Sequence, residues 1–162
     1  MSDAKELVKK IKEDLKPFDE KILHHAYIRA LNQGNLSQNA LKAFAGQQYH
    51  IITSDLRSVA HLISRHGELP SRSWLVGLLQ GEAAALDALF TFAKRLEMSE
   101  KDLKIFEPIH AGHAYCAYLA WLGMYGSDGE LAGAFLVNFA AWGANCTEMS
   151  TALQTRYGFT KE

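Results

Sequence analysis

The chain has 162 residues, 48% of them hydrophobic and 22% charged, with a formal net charge of −1. That length supports a single domain over residues 1–162 with a sizeable core. Acidic and basic residues are interspersed, which excludes the usual reasons to expect nucleic acid or a membrane surface as partner.

The N-terminus, MSDAKELVKKIKEDLK, lacks the apolar centre of a signal peptide, and no apolar run reaches the length of a membrane span. Ser2 is placed to cap a first helix to about Lys16, with Leu7, Ile11 and Leu15 on one stripe. Pro17, Pro70 and Pro108 each stand where a helix is expected to begin. A second helix is predicted through DEKILHHAYIRAL, stopping at Asn32-Gln33-Gly34. Ser37 then opens a long helix through QNALKAFAGQQYHIITSDLRSVAHLISRH, closed by Gly67.

Pro70 and Ser71 start the next predicted helix, SWLVGLLQGEAAALDALFTFAKRL, which ends near Met98. Ser99-Glu100-Lys101-Asp102 reads as a short capped turn. A helix follows Pro108 to Tyr125, Gly126-Ser127-Asp128-Gly129 makes a turn, and a last helix from Glu130 ends at Gly158. No stretch shows the period-two alternation of a strand. Gly46, Gly77, Gly81, Gly123, Gly133 and Gly143 each cost helix stability, and their expected role is close approach between helices. The fold class is all-α, a multi-helical bundle.

Two long segments resemble the TenA/PqqC family, whose members have the heme oxygenase-like helical fold. HHAYIRALNQGNLSQNALKAFAGQQYHII, residues 24–52, is similar to the family stretch H-P-F … L … G-x-L … F-x-x-Y/F-x-x-Q-D-Y. QGEAAALDALFTFAKRLEMSEKDLKIFEPIHAGHAYCAYL, residues 80–119, is similar to E … A-K-x-L-G-I-S … E-P-x-P … A-Y-x-x-Y-L. Gly126-Ser127, Glu130-Leu131 and Ala141-Trp142 continue the likeness, so that it covers most of residues 22–158.

The resemblance implies a central pocket for a flat heterocyclic ligand such as a pyrimidine or thiamin-like molecule, lined by Gln48, Tyr115, Tyr118, Phe44 and Glu82, with Tyr49 and His50 as neighbours. It also implies that thiaminase chemistry is lost. The family's cysteine nucleophile falls on Ala140, the Asp of Q-D-Y falls on Gln48, and the tyrosine three residues later falls on Ile51. The family's last catalytic acid lies on C-terminal helices, and the chain ends soon after RYGF. Cys116 and Cys146 form no metal-type or C-x-x-C spacing and are expected as small core residues in a reducing cytoplasm.

Glu107-Pro108-Ile109-His110 spells E-x-x-H, the spacing by which helical carboxylate proteins present two ligands to a di-iron centre. Glu82, Glu107, His110, His113, His50 and Asp55 are the candidates for that alternative, a metal-dependent or cofactorless oxygenase. The last helix lacks His, so the full ligand set is missing, and neither a metal nor another cofactor is expected. His25 is expected as a packing residue rather than a heme ligand, and His61 and His66 as solvated residues near a helix end. The apolar residues around the last helix, among them Leu131, Phe135, Val137, Phe139, Trp142, Met149 and Leu153, lead to the expectation of a homo-oligomer, a dimer or tetramer.

Overall fold

The structure, a computed structural model, describes residues 2–68 and 70–160. Seven helices are described: α1 Ser2–Leu23, α2 Ala26–Asn32, α3 Gln38–His66, α4 Arg72–Arg95, α5 Glu100–Ile105, α6 His110–Tyr125 and α7 Asp128–Tyr157. They fall into two compact units. One comprises the residues up to Leu36 together with those from Ala132 onward, and the other is Ser37–Leu131.

In the second unit α3 is the axis, with α4, α5 and α6 packed against it. Its apolar stripe, Leu41, Ala45, Ile52, Val59 and Leu62, is buried together with Leu75, Leu89 and Ala93 of α4, Leu103 of α5, and Leu119 and Leu122 of α6. These positions recur at three- and four-residue spacing, as a helix face must. Gly123 lets α6 approach α3 closely, because a Cβ there would lie 2.8 Å from the Ser58 carbonyl oxygen. Gly46 leaves room for the Phe106 ring, which a Cβ would meet at 2.2 Å. The other four helical glycines do not follow the expectation of close approach. Nothing lies within 4 Å of a Cβ built at Gly77, Gly81, Gly133 or Gly143.

The first unit is held by long-range polar contacts. The Tyr157 hydroxyl accepts from Leu36 N at 2.9 Å, Arg156 Nε donates to the Asn32 carbonyl at 3.2 Å, and Asn32 Nδ2 donates to Glu148. Phe135, Leu31, Ile28, Met149 and Ala152 are buried. Val137 and Phe139 remain exposed at 38% and 40%, so α7 is covered on part of its circumference only.

Several helix ends from Ser37 onward follow the sequence signals, although Ser71 at the start of α4 makes no side-chain cap bond. The Ser37 hydroxyl accepts from Ala40 N, Ser99 and Asp102 form a reciprocal capping box, and Ser127 and Glu130 do the same at the start of α7. Gly158, at φ +70°, ends α7 in the left-handed region. Gly67 ends α3 differently, at φ −65° in the right-handed region.

Two expectations near the N-terminus are corrected. α1 runs through Pro17 to Leu23 instead of ending near Lys16. The break falls at His24-His25, where the His25 imidazole accepts from Tyr27 N at 3.2 Å and caps α2. A side chain that satisfies a free amide at that point competes better for a helix start than Pro17 does. The capping role of Ser2 concerns a side chain outside the described ones. A third correction concerns α4. By length and composition it is long and apolar enough to cross a membrane, and only 17% of its apolar window is buried.

Leu96, Glu97 and Met98 close α4 with a Schellman motif. Glu97 N donates to Lys94 O at 3.1 Å and Met98 N to Ala93 O at 2.9 Å, with Glu97 at φ 59°. The family stretch A-K-x-L-G-I-S has glycine at the place that Glu97 occupies here.

Candidate functional site

The inward face of α3 carries polar groups among its leucines. Phe44, Gln48 and Asp55 lie four and seven residues apart, and at 3.6 residues per turn they share one stripe. Asp55 is 3% exposed, in line with Ile52, Val59 and Leu62. Burying a carboxyl in such company costs free energy unless it is neutralised or hydrogen-bonded.

Both compensations are present in part. The Tyr115 hydroxyl, from α6, donates to Asp55 Oδ2 at 3.1 Å. Asp55 Oδ1 is buried and has no hydrogen-bond partner among the described residues. Glu82, on the face of α4 that carries Leu75, Leu78 and Leu89, supplies a second carboxyl whose charge acts on Asp55. Burial, then the Glu82 charge, push the Asp55 carboxyl up from 3.8 to about 7, against the opposing pull of the Tyr115 hydrogen bond. Burial also raises the Glu82 carboxyl. A carboxyl bonded to a phenol and a second carboxyl whose charge reaches it therefore share an apolar setting, and Asp55 changes protonation near neutral pH.

Two of the residues expected at the pocket, Tyr115 and Glu82, belong to this cluster. Gln48 and Phe44 are half-buried on the same stripe of α3, and the Phe44 ring meets Phe92 edge-on at 6.3 Å. Tyr118, also expected in the lining, is 55% exposed. It lies three residues from Tyr115, which turns it about 60° around α6, away from the buried Leu119 and Leu122. In the sequence Asp55 enters only as a metal-ligand candidate. A sequence signal for its burial exists, since this aspartate stands in line with Ile52, Val59 and Leu62.

The E-x-x-H segment serves a different purpose. Gln47 Nε2 donates to the Glu107 carbonyl at 3.0 Å, and Gln47 Oε1 accepts from Ile109 N at 3.0 Å. His50 Nε2 bonds the Phe106 carbonyl at 2.6 Å, which ties up one of the proposed metal ligands. The segment is thus a clamped connection between α5 and α6, and the side chains of Glu107, His110 and His113 are exposed. Among the described residues no three His, Cys, Asp or Glu side chains are grouped to hold a metal ion.

The histidines at helix ends have structural tasks. His25 is exposed and caps α2, which corrects its expected packing role. His66 is half-buried, with Nε2 3.4 Å from the Gly126 carbonyl, so the solvated reading applies to His61 alone. Arg65 Nη1 donates to Gly123 O at 2.8 Å and Gly126 O at 3.0 Å, placing a cation on the C-terminal carbonyls of α6.

The Cys116 thiol is a poor nucleophile. Sγ donates to the His50 carbonyl at 3.6 Å, and burial pushes the thiol up from its ordinary range, so the thiolate is disfavoured. Cys146 is exposed on α7, which departs from its expected place in the core. It lines an open hollow of about 490 Å³ with Thr147, Ser150, Thr151, Gln154 and Thr155. The side chain at Ala140, the place of the family's cysteine, lies outside the described ones.

Comparison with known proteins agrees with the resemblance read from the sequence. The TENA/THI-4/PQQC family matches the chain over residues 12–158. No curated protein and no solved structure gives a significant match.

Proposed function

Because the chain belongs to the TENA/THI-4/PQQC family, all-α with the heme oxygenase-like fold, we propose that it binds a small flat heterocycle, pyrimidine- or thiamin-like, against Asp55, Tyr115 and Glu82. The observation that carries this reading is Asp55 itself. A 3% exposed carboxyl with one oxygen bonded to Tyr115 and the other unpartnered has an acceptor to offer to a ligand donor. A ring N–H or exocyclic amine has the matching chemistry, and the half-buried Phe44 and Gln48 share the Asp55 stripe.

The same reading excludes thiaminase-type turnover through a cysteine. Alanine at position 140 supplies no nucleophile, and Cys116 is held as a thiol. The proposal includes a place in thiamin metabolism and the cytoplasm as compartment.

Calorimetric titration with an aminopyrimidine and with thiamin tests it. Binding is expected with the wild type and is weakened about tenfold or more in Asp55→Asn, in keeping with loss of a charged hydrogen bond. Neither compound is expected to be hydrolysed. Absence of binding, or equal binding by the Asn variant, overturns the assignment. Turnover at family-typical rates overturns the loss of thiaminase chemistry.

A further inference from the structure

We propose that α1 is a self-association element, pairing antiparallel with the α1 of a second copy of this chain. Val8, Ile11, Leu15, Phe18 and Ile22 follow one another at spacings of three, four, three and four residues. That is an unbroken a/d seam through two heptads, with Val8, Leu15 and Ile22 at a and Ile11 and Phe18 at d. The seam is open in the structure. Val8 is 36% exposed, Phe18 58% and Ile22 46%, with Ile11 and Leu15 half-buried. Pro17 falls at the c position, on the far side, so the break it makes in the hydrogen-bond ladder does not interrupt the seam. The ion pair Lys9–Glu13, at 3.8 Å, also lies on that outer face.

Charges flanking the seam select the occupant and its direction. The e positions are Lys12 and Asp19, and the g positions beside the a residues Leu15 and Ile22 are Asp14 and Lys21. Lys21 Nζ lies 5.7 Å from the centre of the Phe18 ring, which places this cation beside the seam. In a parallel pair g meets the e position of the next heptad on the partner, which sets Asp14 against Asp19, a repulsion made twice. In an antiparallel pair e faces e and g faces g. With Ile11 layered on the second copy's Ile22, and Leu15 on its Phe18, Lys12 meets Asp19 and Asp14 meets Lys21. Twofold symmetry repeats every contact, giving four attractive pairs and no like-charge pair among these positions. α1 carries six lysines and six carboxylates, so it has no net charge to recruit an anionic membrane.

Sedimentation equilibrium of the full chain at low ionic strength, with a charge-swap cycle, tests this. The wild type is expected at twice the 18.0 kDa chain mass. Lys12→Asp alone, or Asp19→Lys alone, converts two attractive pairs to repulsive ones and is expected to weaken the dimer about tenfold, on the scale of exposed ion pairs. The double variant is expected to return to within about threefold of the wild type, since each pair is restored with its polarity reversed. Far-ultraviolet circular dichroism should be the same for all four proteins.

A second measurement reads direction. In a chain with Cys116→Ser and Cys146→Ser, Lys12→Cys with Asp19→Cys should form an intermolecular disulfide on mild oxidation, and Lys12→Cys alone should not. A monomeric wild type, a dimer indifferent to the single swaps, a double variant that fails to recover, or cross-linking by the single cysteine would each overturn the proposal. A monomer that sediments with phosphatidylcholine vesicles would assign the seam to lipid instead.

Discussion

The Tyr115 hydroxyl donates to one oxygen of the buried Asp55 carboxyl at 3.1 Å and leaves the other oxygen without a partner among the described residues. A half-satisfied buried acid costs stability, and natural chains keep such a group where binding or proton transfer needs it.

Asp55→Asn is expected to stabilise the protein at alkaline pH. The folded carboxyl titrates near 7 against 3.8 unfolded, so between those values the folded state binds more protons than the unfolded one. Stability therefore falls as pH rises through that window and levels off above it. The asparagine variant does not ionise and should gain up to about 4 kcal/mol relative to wild type at pH 8, shrinking toward zero near pH 4. Urea unfolding of both proteins across that range checks the sign and the window.

Tyr115→Phe removes the hydrogen bond that lowers the Asp55 carboxyl, so the apparent Asp55 titration should move up. The loss of stability is expected to be about 0.5–1.5 kcal/mol at pH 5, where the acid is neutral, and about 1.5–3 kcal/mol at pH 8, where it is charged. Carboxyl-carbon NMR titration follows the first effect and urea unfolding the second. Equal losses at both pH values would mean that Tyr115 does not face an ionising partner.

Glu97→Gly is expected to stabilise. A side chain at φ 59° in the Schellman position carries a steric cost of about 1 kcal/mol that glycine does not, and position 97 is not within a helix. Thermal unfolding should rise by about 2–4 °C for a chain of this size.

The glycines separate into two kinds. Gly123→Ala brings a methyl within 2.8 Å of the Ser58 carbonyl oxygen on α3, a backbone atom that cannot rotate aside. It should cost about 1–3 kcal/mol. Gly81→Ala meets nothing within 4 Å and should gain about 0.5–1 kcal/mol from helix propensity alone. Denaturant midpoints of the two variants should move in opposite directions.

Much of the architecture was legible in the sequence because its signals are local. Ser37, Ser99 with Asp102, Ser127 with Glu130, and Gly158 mark helix ends through contacts within a few residues. A periodic stripe such as Leu41, Ala45, Ile52, Val59 and Leu62 marks a buried face wherever it occurs. Family membership was likewise readable, since it rests on the order of such stretches along residues 12–158.

The site was decided by what three separate helices bring together. Asp55 from α3, Glu82 from α4 and Tyr115 from α6 are 27 and 33 residues apart along the chain, and only packing on α3 makes them neighbours whose charges act on each other. The carboxyl of Asp55 is ordinary in the unfolded chain and becomes an acid of about 7 through burial, a property no residue type or spacing carries. Packing likewise made the E-x-x-H motif a clamped loop, because Gln47 reaches its backbone across 60 residues of sequence and His50 reaches the preceding Phe106 across 56. A sequence determines which groups are available and which helix face each occupies. Their protonation, their partners and their exposure follow from the dielectric and the neighbours that tertiary packing supplies.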